Sequence, residues 1–210
     1  MTADVVAQAA AAVRAGQLVV FPTDTVYGIA TRPDDPAATA RLFEAKRRPR
    51  DLELPVLAAS VNEVRALVVF EADAERLASA CWPGGLTLVL ERTALSAAWD
   101  LGGDPETIGV RIPHHPLARA LLAASGPLAV TSANRSGEPP GATCEELEAA
   151  FGDDVALYLC QDEPPMGTPS TVVDLAHGPA RVLREGAVAP EVIARLLSAE
   201  GPLLDSPLSP

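Results

Sequence analysis

Apolar residues along the chain come in short blocks whose period switches between that of a helix and that of a strand. Val5, Ala9, Ala12 and Val13 recur at helical spacing, and Gly16 stands where a C-terminal cap belongs. Leu18-Val19-Val20-Phe21 is a continuous apolar run stopped by Pro22, and Val26 to Ala30 reads as a second strand entered through the polar turn Thr23-Asp24-Thr25. Asp35-Pro36 combines an N-cap residue with proline at the first helical position; Ala38, Leu42 and Ala45 then share a face and deliver Lys46 to the helix end. The same reading gives a strand over 54–59, two short helices over 61–80, strands over 86–91 and 107–112, and a helix over 116–124 closed by Gly126. Leu128 to Thr131 is strand-like and runs into the polar loop Ser132 to Gly141. Thr143 and Glu146 have capping-box spacing and predict a helix start, followed by strands at 155–159, 170–175 and 181–184. A last helix begins at Pro190, with Ile193, Leu196 and Leu197 on one face.

Strands alternating with helices nearly throughout predict an α/β fold, one twisted mixed sheet with helices packed on it. A chain of 210 residues is long enough for one sizeable core, and no repeat or linker divides it. The expectation is a single domain over residues 1–200 and a Pro/Ser-rich, frayed tail over 201–210. Apolar residues make up 48% of the chain but aromatics only 4%, so the core is built from Ala, Val and Leu.

The net charge of −12 makes a summed field that repels nucleic acid and anionic membrane surfaces, so any phosphate site must be local. Residues 41–50 are the conspicuous exception, holding five of the 16 basic residues, among them Lys46, the only lysine, and a single acid, Glu44. Such a run suits an anionic ligand, with Pro49 fixing the direction in which Arg48 leaves the helix; a solvated basic helix end favoured by the helix dipole explains it equally well. The three cysteines, Cys81, Cys144 and Cys160, show no CxxC spacing, so neither a disulfide framework nor a zinc site is expected and a reducing compartment fits best. The first residues lack the basic start and apolar stretch of a signal peptide, and no apolar run approaches bilayer length, which predicts a cytoplasmic protein.

Other candidates for chemistry are weaker alone. Thr131-Ser132-Ala133-Asn134-Arg135-Ser136-Gly137 can present N–H groups and hydroxyls to a phosphate, but it lacks a Walker pattern and reads as well as a polar turn. Ser170-Thr171 and Thr23-Asp24-Thr25 put hydroxyls at strand ends, where such residues commonly satisfy the backbone. Arg111 lies within an apolar strand and requires an anionic partner, from a structural ion pair or from a ligand. Three histidines, two of them adjacent, make no metal set, and Cys144, inside the capping box, reads as structural rather than nucleophilic.

Taken in order, seven segments resemble one family, the YrdC-type threonylcarbamoyl-adenylate synthases. They are Phe21-Pro22-Thr23-Asp24-Thr25-Val26-Tyr27-Gly28, Lys46-Arg47-Arg48-Pro49, Trp82-Pro83-Gly84-Gly85 with the strand that follows, Thr107-Ile108-Gly109-Val110-Arg111, Ser132-Ala133-Asn134-Arg135-Ser136-Gly137, Ser170-Thr171-Val172-Val173-Asp174 and Val182-Leu183-Arg184. The resemblance implies an enzyme that makes threonylcarbamoyl-AMP and pyrophosphate from L-threonine, bicarbonate and ATP, within a deep basic cavity, for the t6A modification of tRNA position 37. It implies Lys46 and Arg48 as catalytic residues, which with Arg184 clamp the ATP phosphates, and Thr107, Ser132 and Asn134 as further ATP contacts. Thr25, Arg111 and Ser170 would hold threonine. Mg²⁺ would arrive with the nucleotide and no metal would be held by the protein. The product would pass to a tRNA threonylcarbamoyltransferase complex, with direct tRNA binding weak or absent and no membrane involved.

The chain also departs from the family pattern. Where many members carry an Asn-Pro-Leu run and then a histidine that touches threonine, this sequence has Leu52-Glu53-Leu54 and Leu57. Gly85 stands where proline is usual, Val130 where some members have a small polar residue, and Pro140 replaces a serine that meets ATP in some. These positions bear on the acceptor amino acid. The competing expectations are a carbamoyl-adenylating enzyme of this fold with another acceptor, or an RNA-binding module; the charge of −12 and the scarcity of aromatics count against the second.

Overall fold

The computed structural model describes residues 3–161 and 163–198. The expected tail, 201–210, lies outside them. The elements follow the predicted order: α1 (Ala3–Arg14), β1 (Leu18–Pro22), β2 (Tyr27–Thr31), α2 (Pro36–Lys46), β3 (Val56–Leu57), α3 (Val61–Leu67), α4 (Ala72–Cys81), β4 (Leu86–Glu91), β5 (Thr107–Arg111), α5 (Pro116–Ser125), β6 (Leu128–Ser132), α6 (Cys144–Phe151), β7 (Val155–Tyr158), β8 (Thr171–Asp174), β9 (Arg181–Arg184) and α7 (Pro190–Ser198). Local signals set the helix ends. Asp35 accepts from the Ala37 N–H at 2.9 Å, and Thr143 and Glu146 complete the capping box at α6. The predicted strand 54–59 shrinks to Val56–Leu57 because Pro55 has no N–H to give a ladder and the Leu54 N–H turns to the Leu101 carbonyl.

The strands form one mixed sheet, ordered β7-β1-β2-β6-β3-β5-β4-β8-β9, in which β1–β7, β3–β5 and β4–β8 are the parallel pairs. Alternation along each strand divides it into two faces. Val20, Ile29, Val56, Leu88, Val110 and Val173 face a core completed by Leu42 and Phe43 of α2, Leu77 of α4, Leu147 and Phe151 of α6 and Ile193 of α7. On the opposite face Val19, Phe21, Ala30, Leu128 and Val130 pack against Ala10 and Val13 of α1 and Leu121 and Leu122 of α5. That second cover stops part-way across, and beyond it the sheet bounds a cavity. Among the described residues no helix is long and apolar enough to cross a membrane.

The cysteine reading requires correction. Cys144, at the first residue of α6, is bonded to Cys160, just after β7, with Cα atoms 5.7 Å apart and a sequence separation of 16. Motif spacing concerns cysteines within one turn or hairpin, whereas here a helix and a strand close the distance. The cysteines therefore do not argue for a reducing compartment, and Cys81 is the free thiol.

Leu121 is fully buried between α5 and the sheet. Leu121→Ala should cost about 2–5 kcal/mol, read as a lowered urea midpoint with an unchanged m-value.

Candidate active site

The uncovered part of the second sheet face closes around a cavity of about 440 Å³. Its walls come from alternate residues of successive strands. Gly28 of β2, Ser132 of β6, Gly109 and Arg111 of β5, and Thr87 and Val89 of β4 line this side, while their neighbours Ile29, Leu88, Leu90, Ile108 and Val110 lie in the core. Small residues keep the floor low: a Cβ on Gly28 would lie 2.8 Å from Val130 Cγ1. Ser170 and Arg184, and the turn between β1 and β2 with Thr23 and Thr25, complete the wall.

Six of the nine residues singled out in the sequence line this cavity: Thr25, Arg48, Arg111, Ser132, Ser170 and Arg184. Arg111 extends along the floor and is anchored on one side, donating through Nε to the Gly84 carbonyl at 2.9 Å, through Nη1 to Thr25 Oγ1 at 2.8 Å and through Nη2 to Asp24 Oδ1 at 2.6 Å. Asp24, which also accepts from the His114 N–H at 3.0 Å, is thus the anionic partner the strand pattern called for. Nη1 and Nη2 each keep a second hydrogen beyond these bonds, which a carboxylate can accept. Arg184 donates to the Ser170 carbonyl and, at 3.1 Å, to Ser170 Oγ, which is 2.9 Å from Thr87 Oγ1. Arg184, expected at ATP, and Ser170, expected at threonine, are thus in direct side-chain contact.

The basic run 41–50 does not act as one patch. Arg47 caps α2 in the left-handed conformation, φ 50°, and its N–H and that of Arg48 bond back to Glu44 and Phe43. This sharp turn sends the residues on either side of it in different directions. Arg48 enters the cavity, held by the carbonyls of Leu52 (3.1 Å) and Glu53 (2.8 Å). Lys46 is only 1% exposed and passes beneath the loop after β6, where Nζ donates to the carbonyls of Ser132 and Asn134. Arg50 instead pairs with Asp100 at the surface, and Arg41 donates to the Gly16 carbonyl.

Lys46, Thr107 and Asn134 are not brought to the cavity lining. The Asn134 amide folds its own loop by donating to the carbonyls of Arg135 and Glu138. Thr107 is buried at the start of β5, its carbonyl accepting from Arg92 Nε at 2.6 Å. Conversely, the lining includes four polar side chains outside those nine, Thr23, Glu53, Thr87 and Thr131. Thr87 belongs to the Arg111 side of the β4–β5 pair, a placement that depends on strand register, which no local pattern supplies.

Electrostatically the cavity sets three guanidiniums against one carboxyl. Burial holds Arg48, Arg111 and Arg184 below their ordinary values, and Arg184 adds like-charge repulsion on the other two. A bound anion relieves both penalties. Burial also raises the Glu53 carboxyl to about 7, although Arg92 opposes this. Lys46 is brought down to about 7, first by burial and then by the nearby Arg48 charge.

The family model for Sua5/YciO/YrdC, described as telomere recombination, matches residues 11–186. The chain belongs to the Sua5/YciO/YrdC family. It is 44% identical to a Mycobacterium tuberculosis protein, provisionally named a threonylcarbamoyl-AMP synthase, over 93% of this chain and 90% of that one. It is 37% identical to the threonylcarbamoyl-AMP synthase of Chromohalobacter salexigens over 84% of this chain and 96% of the relative. Among solved structures, Pyrococcus abyssi Sua5 complexed with L-threonine matches this Sua5/YciO/YrdC chain with a TM-score of 0.86 and 34% identity, over 94% of this chain and 58% of the archaeal one. Escherichia coli YciO matches with a TM-score of 0.82 and 28% identity, over 90% and 92% of the two chains.

The buried Lys46 makes stability depend on pH in a definite direction. Between pH 7 and 10.5 the unfolded chain holds a proton that the native amine has lost, so native stability rises with pH across that window. Lys46→Met should abolish this contribution: the stability difference between wild type and variant, from urea unfolding at pH 7 and at pH 9.5, should shift in favour of wild type at the higher pH. A pH-independent difference would mean that Lys46 titrates as a free lysine.

Proposed function

We propose that this chain is an L-threonylcarbamoyladenylate synthase, forming threonylcarbamoyl-AMP and pyrophosphate from L-threonine, bicarbonate and ATP, with residues 1–200 acting as one domain. The observation that carries the reading is the convergence of Arg48, Arg111 and Arg184 in one cavity with hydroxyls from Thr25, Thr87 and Ser170 between them. All three substrates carry anionic groups, and a chain of net charge −12 has gathered guanidiniums at this one place. The names of its relatives support the same activity.

In this reading the free edge of Arg111 takes the threonine carboxylate, with Thr25 and Ser170 beside it. Threonine and bicarbonate condense to a carbamate, whose oxygen attacks the α-phosphate and expels pyrophosphate. The chain needs no side-chain nucleophile; it positions the reactants and neutralises charge on the phosphates through Arg48 and Arg184, with Mg²⁺ arriving on the nucleotide. Ser132 completes the nucleotide site, while Lys46 and Asn134 act from behind the lining by holding the loop after β6, and Thr107 acts only through its place in β5. The product would be consumed by a tRNA threonylcarbamoyltransferase complex in the cytoplasm, and the acidic surface leaves no broad track for tRNA.

Pyrophosphate release from ATP and bicarbonate, with each amino acid supplied in turn and the nucleotide product identified by mass, tests the assignment. Threonine alone should trigger release and yield threonylcarbamoyl-AMP; release with another amine or with carbamoyl phosphate would keep the fold and overturn the substrate. Arg48→Ala should lower turnover by about 100-fold or more, the scale for removing one donor from a developing charge, while leaving the circular dichroism unchanged.

A further inference from the structure

Glu53 is the only acidic side chain in the cavity lining among the described residues, and the mechanism above does not use it. Burial makes its ionised form costly, the arginines offset only part of that cost, and a donor from a ligand would offset more. Its position is tightly set. The Leu54 N–H bonds to the Leu101 carbonyl at 2.8 Å, and Gly103, φ 61°, packs so closely that a Cβ there would meet Glu53 Cβ at 2.7 Å. The side chain turns to β5, where Oε1 accepts from the Gly109 N–H at 3.2 Å and lies 3.8 Å from Arg92 Nη2. No donor among the described residues reaches Oε2.

Two neighbours locate Glu53 relative to the substrates. Its own backbone carbonyl accepts from Arg48, the guanidinium assigned to the phosphates, at 2.8 Å. Its carboxyl partner Arg92 bonds the Thr107 carbonyl, at the start of β5, whereas the Arg111 guanidinium reaches Asp24 and Thr25 beyond the other end of that strand. The carboxyl itself bonds at mid-strand, to Gly109, and the cavity guanidinium whose charge acts on it is that of Arg48, which places Glu53 beside the phosphate-binding arginine. The hydroxyls of a ribose are the donors closest to the phosphates of a nucleoside triphosphate, and a carboxylate oxygen accepts from them well.

From this we infer that Glu53 reads the nucleotide sugar, its free Oε2 accepting a hydrogen bond from the ribose diol and so selecting ribonucleotides over deoxyribonucleotides. The inference rests on ATP occupying this cavity. Calorimetric binding of Mg²⁺-ATP, 2′-deoxy-ATP and 3′-deoxy-ATP to the full chain, as wild type, Glu53→Gln and Glu53→Ala, tests it without requiring turnover. Wild type should bind ATP about 10-fold or more tighter than at least one deoxy analogue, the scale of a hydrogen bond to a charged acceptor. Glu53→Ala should bind all three nucleotides alike, at the wild-type affinity for that analogue. Glu53→Gln, which keeps an oxygen for Gly109, should fall between. Equal weakening toward all three nucleotides in both variants would mark a structural role and overturn the inference, as would a wild type that does not discriminate, or a Glu53→Ala variant that discriminates as wild type does while its threonine KM alone rises. If wild type binds no ATP, the synthase reading falls with it; if it binds ATP and discrimination is independent of Glu53, only the sugar assignment falls.

Discussion

The unequal covering of a single sheet is the constraint from which the rest of this molecule follows. One face is apolar on every central strand and is sealed by helices on that side, α2, α4, α6 and α7 among them. The other is sealed only under α1 and α5. Because side chains alternate along a strand, β5 can place Ile108 and Val110 in the core and Gly109 and Arg111 in the cavity within five residues. The rigidity of the packed face therefore fixes the geometry of the open one.

What the open face holds is charge under strain. Arginine in a half-enclosed cavity loses solvation, and Arg184 also repels the other two. The protein offsets part of this internally, with Asp24 against Arg111 and backbone carbonyls against Arg48 and Arg184. The remainder is available to an anionic ligand, whose arrival restores to the guanidiniums what burial removed. The same low-dielectric setting raises the Glu53 carboxyl to about 7.

The basic run shows how far sequence proximity and spatial proximity part company. Read as a string, Arg41 to Arg50 is a patch. In the fold, one left-handed residue at Arg47 splits it, so that Arg48 reaches the cavity, Lys46 goes beneath the loop after β6, and Arg41 and Arg50 become surface anchors. The cysteines show the converse: Cys144 and Cys160 carry no motif, and only the packing of α6 beside β7 makes them partners. Thr87 escaped notice, and Glu53 stood out only as a departure from the family pattern, for a related reason, since a threonine in a strand and an acid after a basic run look ordinary until register and chain direction aim them at a common space.

The sequence by itself determined the succession of elements, the caps at Asp35 and Thr143, the proline and glycine stops and the need of Arg111 for an anion, because each depends on contacts within a few residues or on the cost of burying one charge. The ordered segments from Phe21 to Arg184 likewise carried the family. Tertiary structure alone decided which face of each strand met solvent, which of the nine singled-out residues shared a cavity, and that Asp24 is the partner of Arg111. Those outcomes depend on strand order and register, which are set by non-local pairing and by the competition of whole faces for burial, quantities that no window of the chain contains.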